Sequence, residues 1–496
     1  MNSQWSAAAL GLFLFCGFLF SGYLYETGAL LSAGLLWIVA IVGLIATRRM
    51  LLGSFQLVII SFAAMYGLTL LYAADFEGAL IEALKVSSVV PVVLICDLLS
   101  RSGYESMFRW YGWAAAMSVV WGIGFSLFRN NRLESTFGYA NAYAIALLAA
   151  LLLTAFAYAK ERKSIYLFLI AFHACGLQLA MSRSVWLLWI ASAALMLWVV
   201  SKDRKVQWKL GLAQAAGYVI AAVAKQDVLF FLQRATTIDP DASELQIRLV
   251  YWKDCLPMIR DFIVGGDGGG GWSMLLPHYR SQDYYVKYVH NHYLQILLDT
   301  GLPGFILFSA ILGIFATAVW KSRKLFGNKN GNLLKGVTLT SGVLLLHAMF
   351  DFDLEYPPLL GLLIILMSYT VVQGEDDVFG GRFQVCPVVA VPIMFVPLIS
   401  SLWLFAGYGQ KEIGLAHMRH ANPDAAIEAF GNAERIVPWS HTLHYESAKA
   451  LTMIGNQKRD AVFYRVAENE MQVALRLAPE QELYRSFTIK LSSVAH

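Results

Sequence analysis

Charge is what this chain has least of for its length. Only 15% of its 496 residues are Asp, Glu, Lys or Arg, where a soluble domain carries closer to a quarter. That shortage excludes an ordinary water-soluble globule. Cysteine is scarce as well. The five (Cys16, Cys96, Cys175, Cys255 and Cys386) are scattered, mostly in apolar runs, with no CxxC and no zinc-type spacing. Neither a disulfide framework nor a metal site is expected from them. The formal net charge of +4 comes with no nucleic-acid signature. In membrane chains basic residues mostly set topology. The opening MNSQW lacks a basic n-region, so the first apolar run reads as a retained span rather than a cleaved signal.

Apolar length is what the chain has in excess. Hydrophobic residues make up 58%, and runs of about 18 residues recur, enough to cross a hydrocarbon core of roughly 30 Å. The runs are continuous rather than alternating, which selects helices over a barrel. The expected class is all-α: a polytopic membrane protein of about 12–13 transmembrane helices. Candidate spans fall at 6–24, 28–46, 54–73, 84–99, 110–128, 140–159, 165–181, 185–200, 209–224, 301–320, 335–350, 358–373 and 387–407.

The connections alternate in charge. TRRM at 47–50, the segment from Arg101 to Arg109, KERK at 160–163, KDRK at 202–205 and the 321–335 segment are basic. YET at 25–27, ADFEG at 74–78 and DFDLEYPP at 351–358 are acidic, while RNNRLE at 129–134 is a partial exception. The positive-inside rule then places the N-terminus in the cytoplasm and the long 225–300 loop outside. Thirteen spans also put the C-terminal tail outside. An acidic, linker-like GEDDVFGGRF at 374–383 precedes the last span, on the side this topology makes cytoplasmic. We divide the chain into a membrane domain, 1–408, and a small helical tail, 409–496. In the tail, 421–438 and 467–479 read as amphipathic helices ending in Pro438 and Pro479, about 40 residues apart, a tetratricopeptide-like pattern. Such a tail is either a platform for a protein partner or a cap packed on the membrane domain, because too few repeats are present for a free-standing solenoid.

Chemistry concentrates between Arg248 and Gly304. His290 and His292 sit just before a span, and a histidine serves as a general base near neutral pH without a large pKa adjustment. Their i, i+2 spacing does not share a helix face; one points at a substrate while the other braces the loop, or both are interfacial histidines bonded to backbone. Arg248, with Trp252 four residues on, Arg260 and Arg280 offer guanidinium forks for phosphate oxygens, or pair with Asp254, Asp261 and Asp267 nearby. Arg183, in AMSRSVW between two apolar runs, is either functional or a snorkelling helix-end marker. GGDGGGG at 265–271 has no following Lys-Ser/Thr, so it is no Walker loop; it reads as a flexible turn rather than a phosphate cradle. HAMFDFDLEYPP places His347, Asp351, Asp353 and Glu355 at a span end, as partners for the arginines, as glycoside-type acids, or as a helix cap. In TFGYANAYA, Tyr139 and Asn141 contact a carbohydrate or cap a helix.

In order and context these pieces resemble the O-antigen ligase / O-antigen polymerase superfamily of membrane glycosyltransferases. The segments are GYANAYA, the SRS arginine, R-x-x-x-W, the glycine-rich turn, HNHYLQ followed by TGLPG, and H-x-x-x-D-F-x-L-x-x-P, over about 130–375. HNHYLQ with TGLPG is the most specific of them. The resemblance implies a GT-C-like helical architecture. It implies a polyprenyl-diphosphate-linked oligosaccharide as donor, a lipid, glycan or protein acceptor, and chemistry at the outer face of the cytoplasmic membrane. It implies no cofactor and no metal. Carried onto this chain, Arg183 and Arg248 bind the donor diphosphate, and His290 takes the acceptor proton, with His292 as the competing position. Arg280, Trp252, Asn141 and Asp351 complete the expected donor and glycan contacts. A transporter or flippase for an anionic lipid or solute is the main alternative, but no internal repeat is visible and the spans are apolar through their middles. A non-catalytic membrane scaffold presenting the tail is the third reading.

Overall fold

A computed structural model describes residues 3–48, 50–200, 203–236, 244–327, 331–373 and 381–495. Most of the 374–383 linker, and parts of the basic connections at 202–205 and 321–335, lie outside the described residues. The protein is an all-α membrane protein. Among the described residues the strand pairings are two short antiparallel ladders, Met50–Leu52 with Phe383–Val385 and Phe128–Arg129 with Arg132–Leu133.

Each of the thirteen expected spans falls on helix. Among the described residues, five helical stretches are long and apolar enough to cross a bilayer alone: Glu26–Thr47, Phe76–Cys96, Ala140–Glu161, His292–Phe326 and Pro387–Arg419. Five shorter apolar helices accompany them. The Ala140–Glu161 helix is the centre of the bundle, with 94% of its apolar window buried, against 28% for Pro387–Arg419. Its sequence, ANAYAIALLAALLLTAFAYA, explains this. Alanines recur on every face, so Arg101–Gly124, Ser164–Ala180 and Gly331–His347 all pack against it. The Pro387–Arg419 helix lies at the perimeter and leaves Val388, Ile393, Val396 and Ile399 exposed, as a lipid-facing surface requires.

The glycine-rich turn has a specific use. The helix His292–Ser322 is interrupted at Gly301 (φ 64°), within TGLPG. The 265–271 segment docks against this break: Asp267 N–H donates to Leu298 O at 2.8 Å, Gly268 N–H to Asp299 O at 3.1 Å, and Leu302 N–H to Ile263 O at 2.8 Å. A Cβ on Gly266 would lie 2.4 Å from the Asp299 carbonyl carbon, and one on Gly301 would lie 2.7 Å from Gly266 N. The glycines of this segment therefore permit backbone-to-backbone contact, and the expected flexible turn is instead a packed joint. Gly266 also has φ +75°. Gly266→Ala is expected to cost roughly 1–3 kcal/mol from its backbone conformation alone, and more from the overlap. A lowered melting temperature in detergent checks this; an unchanged one removes the joint from the argument.

The helix Pro387–Arg419 continues unbroken through residue 408 and enters the tail. Four further helices follow: Pro423–Glu434, His441–Lys458, Ala461–Leu477 and Glu482–Ala495. They are docked rather than free. Tyr408, Phe430, Val437 and Leu443 share one hydrophobic cluster with Leu30, Ile81 and Leu84 of the spans. Met274 joins Ala448, Leu451 and Met471 in another. The Ser440 hydroxyl donates to Glu77 at 2.5 Å and the Thr442 hydroxyl at 2.9 Å.

Candidate functional site

Three segments far apart in sequence meet at one carboxylate. Asp351 leaves the end of the helix Gly331–His347 in a tight turn, its N–H bonded to His347 O at 3.1 Å. Its side chain is fully buried. Oδ2 accepts from Arg248 Nη2 at 2.9 Å, from the Tyr139 hydroxyl at 2.8 Å and from Asn141 Nδ2 at 2.9 Å. Oδ1 meets His290 Nδ1 at 3.0 Å and accepts from Phe352 N–H at 3.0 Å. Burial alone would raise the Asp351 carboxyl, but the Arg248 guanidinium and the His290 hydrogen bond outweigh it and hold the group below the usual carboxylate range. Asp351 is therefore ionised and can only accept. It follows that His290 carries its proton on Nδ1, which leaves the Nε2 lone pair for a substrate.

Local sequence places each partner. Tyr139 is the N-cap residue of the helix Ala140–Glu161, in extended conformation, and Asn141 follows in the first turn. Arg248 and Trp252 lie four apart on one face of the helix Glu244–Asp261. His290 has φ +54°, a left-handed conformation that is uncommon for a side-chain-bearing residue. It is held by Trp252 Nε1–H donating to its carbonyl at 3.3 Å, and by Asn291 capping the next helix. Tyr251 and Phe352 flank the imidazole, with centroids at 5.9 and 4.8 Å.

A cleft of about 200 Å³ opens on His290, Arg248, Tyr139 and Asn141. Arg132 lines it too, with Nε donating to Ala180 O at 3.0 Å and its guanidinium bonded to Asn141. Glu244 at the rim is bridged by Arg132 at 3.7 Å and by Arg234 at 3.3 Å. Three arginines thus face two carboxylates, Glu244 and Asp351, and the cleft favours an anion. Its size suits a diphosphate but not a chain of sugars, since pockets for larger ligands run to roughly 300–1,000 Å³.

The other expected residues lie elsewhere. The imidazole of His292 is buried in the frame, with Nδ1 on Glu355 at 3.0 Å. Burial would raise Glu355, but the His292 hydrogen bond and charge, together with Lys85 and Lys287, more than offset it. His347 pairs with Asp353 and reaches the Ser184 hydroxyl at 3.0 Å. Each acid of the DFDLE run thus takes its own base, and none is left as one of a glycoside-type pair. Arg183 starts the helix Arg183–Val200, next to that Ser184, and is not among the residues lining the cleft. Arg260 pairs with Asp261 at 3.2 Å. Arg280 pairs with Asp283 at 3.0 Å and with Glu482 of the tail at 2.8 Å, where it lines a different cavity. Trp252 acts on His290 through the backbone. Arg132 is the residue that sequence reading passes over as a site, although its loop, RNNRLE, already stood out as the exception to the charge alternation.

Residues 166–309 match the family model described as O-Antigen ligase. No curated protein matches the chain. The matched stretch contains Arg183, Arg248, Trp252, Arg280, His290 and His292, while Tyr139, Asn141 and Asp351 come from the flanking segments. The match supports the O-antigen ligase / polymerase resemblance and a role in membrane glycan ligation or polymerisation during cell-envelope polysaccharide assembly.

Proposed function

We propose that this O-antigen-ligase-type protein transfers a glycan from a polyprenyl diphosphate to an acceptor hydroxyl, with His290 as base and the arginine cleft as diphosphate site. The observation that carries this reading is Asp351, which fixes the base and a phosphate-binding guanidinium on one buried carboxylate. Arg248 commits one Nη2–H to Asp351; the fork has five donors in all. With Arg132 it neutralises the diphosphate and stabilises charge that grows on it as it leaves. His290 Nε2 takes the hydroxyl proton as the acceptor oxygen bonds to the anomeric carbon. The bond from that carbon to the diphosphate oxygen breaks, and the electron pair leaves on the polyprenyl diphosphate. A single displacement inverts the anomeric centre. The guanidinium charges do the work a divalent metal does elsewhere, so no metal is required. Charge alternation along the chain supports a site on the outer face of the cytoplasmic membrane.

An in vitro assay tests this. Purified protein receives a polyprenyl-diphosphate oligosaccharide and a candidate acceptor, with EDTA present. Wild type is expected to release polyprenyl diphosphate. His290→Ala should lose about 10²–10⁴ of that rate, as removal of a positioned base does. Arg248→Ala should lose at least as much, since it also leaves Asp351 short of its cation. Product size separates polymer extension from ligation. Release that needs a divalent metal, or that survives His290→Ala, would overturn the mechanism.

A further inference from the structure

We propose that the cavity between the tail and the 270–288 segment is the acceptor-glycan site, and that it selects neutral or amino-bearing sugars over acidic ones. This rests on the transferase reading above. The cavity measures about 760 Å³, against about 200 Å³ for the arginine cleft. It is large enough for several sugar rings where the cleft is not.

Its lining has the chemistry of a glycan site. Four tyrosines line it: Tyr285, Tyr288, Tyr445 and Tyr484. Tyr285 is 69% exposed, and Tyr445 stacks on Tyr484 at 4.8 Å with the rings 25° apart. Tyr288 and Tyr484 are buried behind the wall, so Tyr285 and Tyr445 are the rings that accept the C–H faces of sugars while the sugar hydroxyls remain available for hydrogen bonds. Six carboxylates share the lining with Arg280 and Lys287, and Lys85, Lys411 and Lys449 pair with Glu82, Glu77 and Glu446 from behind it, so the carboxylates outnumber the permanent cations by one. Carboxylate oxygens accept from sugar hydroxyls and ammonium groups. The negative charge that remains disfavours a diphosphate or a uronic acid. The two cavities therefore divide the substrates by charge, with the diphosphate at the arginines and the uncharged or cationic glycan here.

Position supports the division. Tyr288 and His290 are two residues apart, so at most about 7 Å of chain separates the cavity wall from the base. The Tyr288 ring stacks on Phe352 at 5.1 Å, and Phe352 meets His290 edge-on at 4.8 Å. The tail supplies one wall, held by the hydrophobic clusters that dock it. On this reading the tail is part of the binding site rather than a detached platform.

Isothermal titration of the full-length protein in nanodiscs tests the proposal with three hexasaccharides: cellohexaose, hexaglucosamine and hexagalacturonate. The first two are expected to bind wild type, and the third at least about tenfold more weakly. Tyr445→Ala and Tyr285→Ala should each weaken binding by about tenfold or more. Tyr285 lies on an exposed loop, so its variant stays informative if loss of the Tyr445 ring disturbs the tail. In the transfer assay both variants should raise the acceptor KM and leave the donor KM in place. Absence of binding by all three sugars, tightest binding of hexagalacturonate, or unchanged binding in both variants would overturn the proposal. Titration needs no turnover. Glycan binding without transfer would sink the transferase reading and, with it, the acceptor role of this cavity, leaving a glycan site; transfer without glycan binding would sink this proposal alone.

Discussion

Asp351→Asn is expected to lower transfer by about three to four orders of magnitude while donor binding survives. The carboxylate accepts five hydrogen bonds, from Arg248, His290, Tyr139, Asn141 and the Phe352 N–H. An asparagine amide has one accepting oxygen and one donating NH₂. If the oxygen stays with Arg248, Tyr139 and Asn141, the NH₂ faces His290 Nδ1. A donor there forces Nδ1 to accept, which moves the imidazole proton to Nε2, the atom that must receive the acceptor proton. If the amide turns over, its NH₂ faces three donors and the buried Arg248 charge loses its counter-ion. Either arrangement disables the base. The second also costs about 3–5 kcal/mol, the usual penalty for half of a buried pair. The consequences for the two substrates differ. Arg248 released from Asp351 still binds a diphosphate, so the donor KM should hold or fall as kcat collapses. A merely structural role predicts a lower melting temperature with kcat and KM moving together. A kcat within tenfold of wild type would remove Asp351 from the mechanism.

Sequence makes the scaffold legible because hydrophobic length and charge alternation are local signals. Each expected span lies on a helix, down to the short one at 84–99, which the chain lengthens by joining Phe76–Ser87 to Val89–Cys96. Local patterning also finds the raw materials of the site: Arg248, His290, Asn141 and Asp351 are each visible as polar residues at the edge of an apolar run. Their convergence is not visible, because it depends on which span ends are neighbours. Asp351 lies 210 residues from Asn141 and 103 from Arg248. Arg183 and Arg280 have the same local appearance as Arg248, yet one begins a helix beside Ser184 and the other pairs with the tail. The glycine-rich turn misleads for a related reason. Its composition suggests freedom, whereas the requirement is contact with a second broken backbone at Gly301, about 30 residues away.

The two histidines separate on the same grounds, and the separation is measurable. His292→Ala is expected to damage the fold far more than the chemistry, and His290→Ala the reverse. The Glu355 carboxylate and the His292 imidazole are both almost fully buried, and the His292 hydrogen bond is the largest of the contributions, ahead of Lys85 and Lys287, that keep the acid charged against burial. Removing the imidazole leaves the carboxylate without its hydrogen-bond partner and dependent on Lys85 and Lys287, of which Lys85 is already paired with Glu82 at 2.7 Å. The expected cost is about 3–5 kcal/mol, a drop in melting temperature large enough to see in nanodiscs, with residual folded protein transferring within about tenfold of wild type. Asp351, by contrast, keeps Arg248, Tyr139, Asn141 and a backbone N–H when His290 is lost. The 20% exposure of the His290 side chain also leaves water to fill the gap. His290→Ala should therefore melt close to wild type and transfer almost nothing. The opposite pair of results, a stable but inactive His292→Ala beside an active His290→Ala, would move the base two residues along the chain and leave the arginine cleft without a catalytic partner.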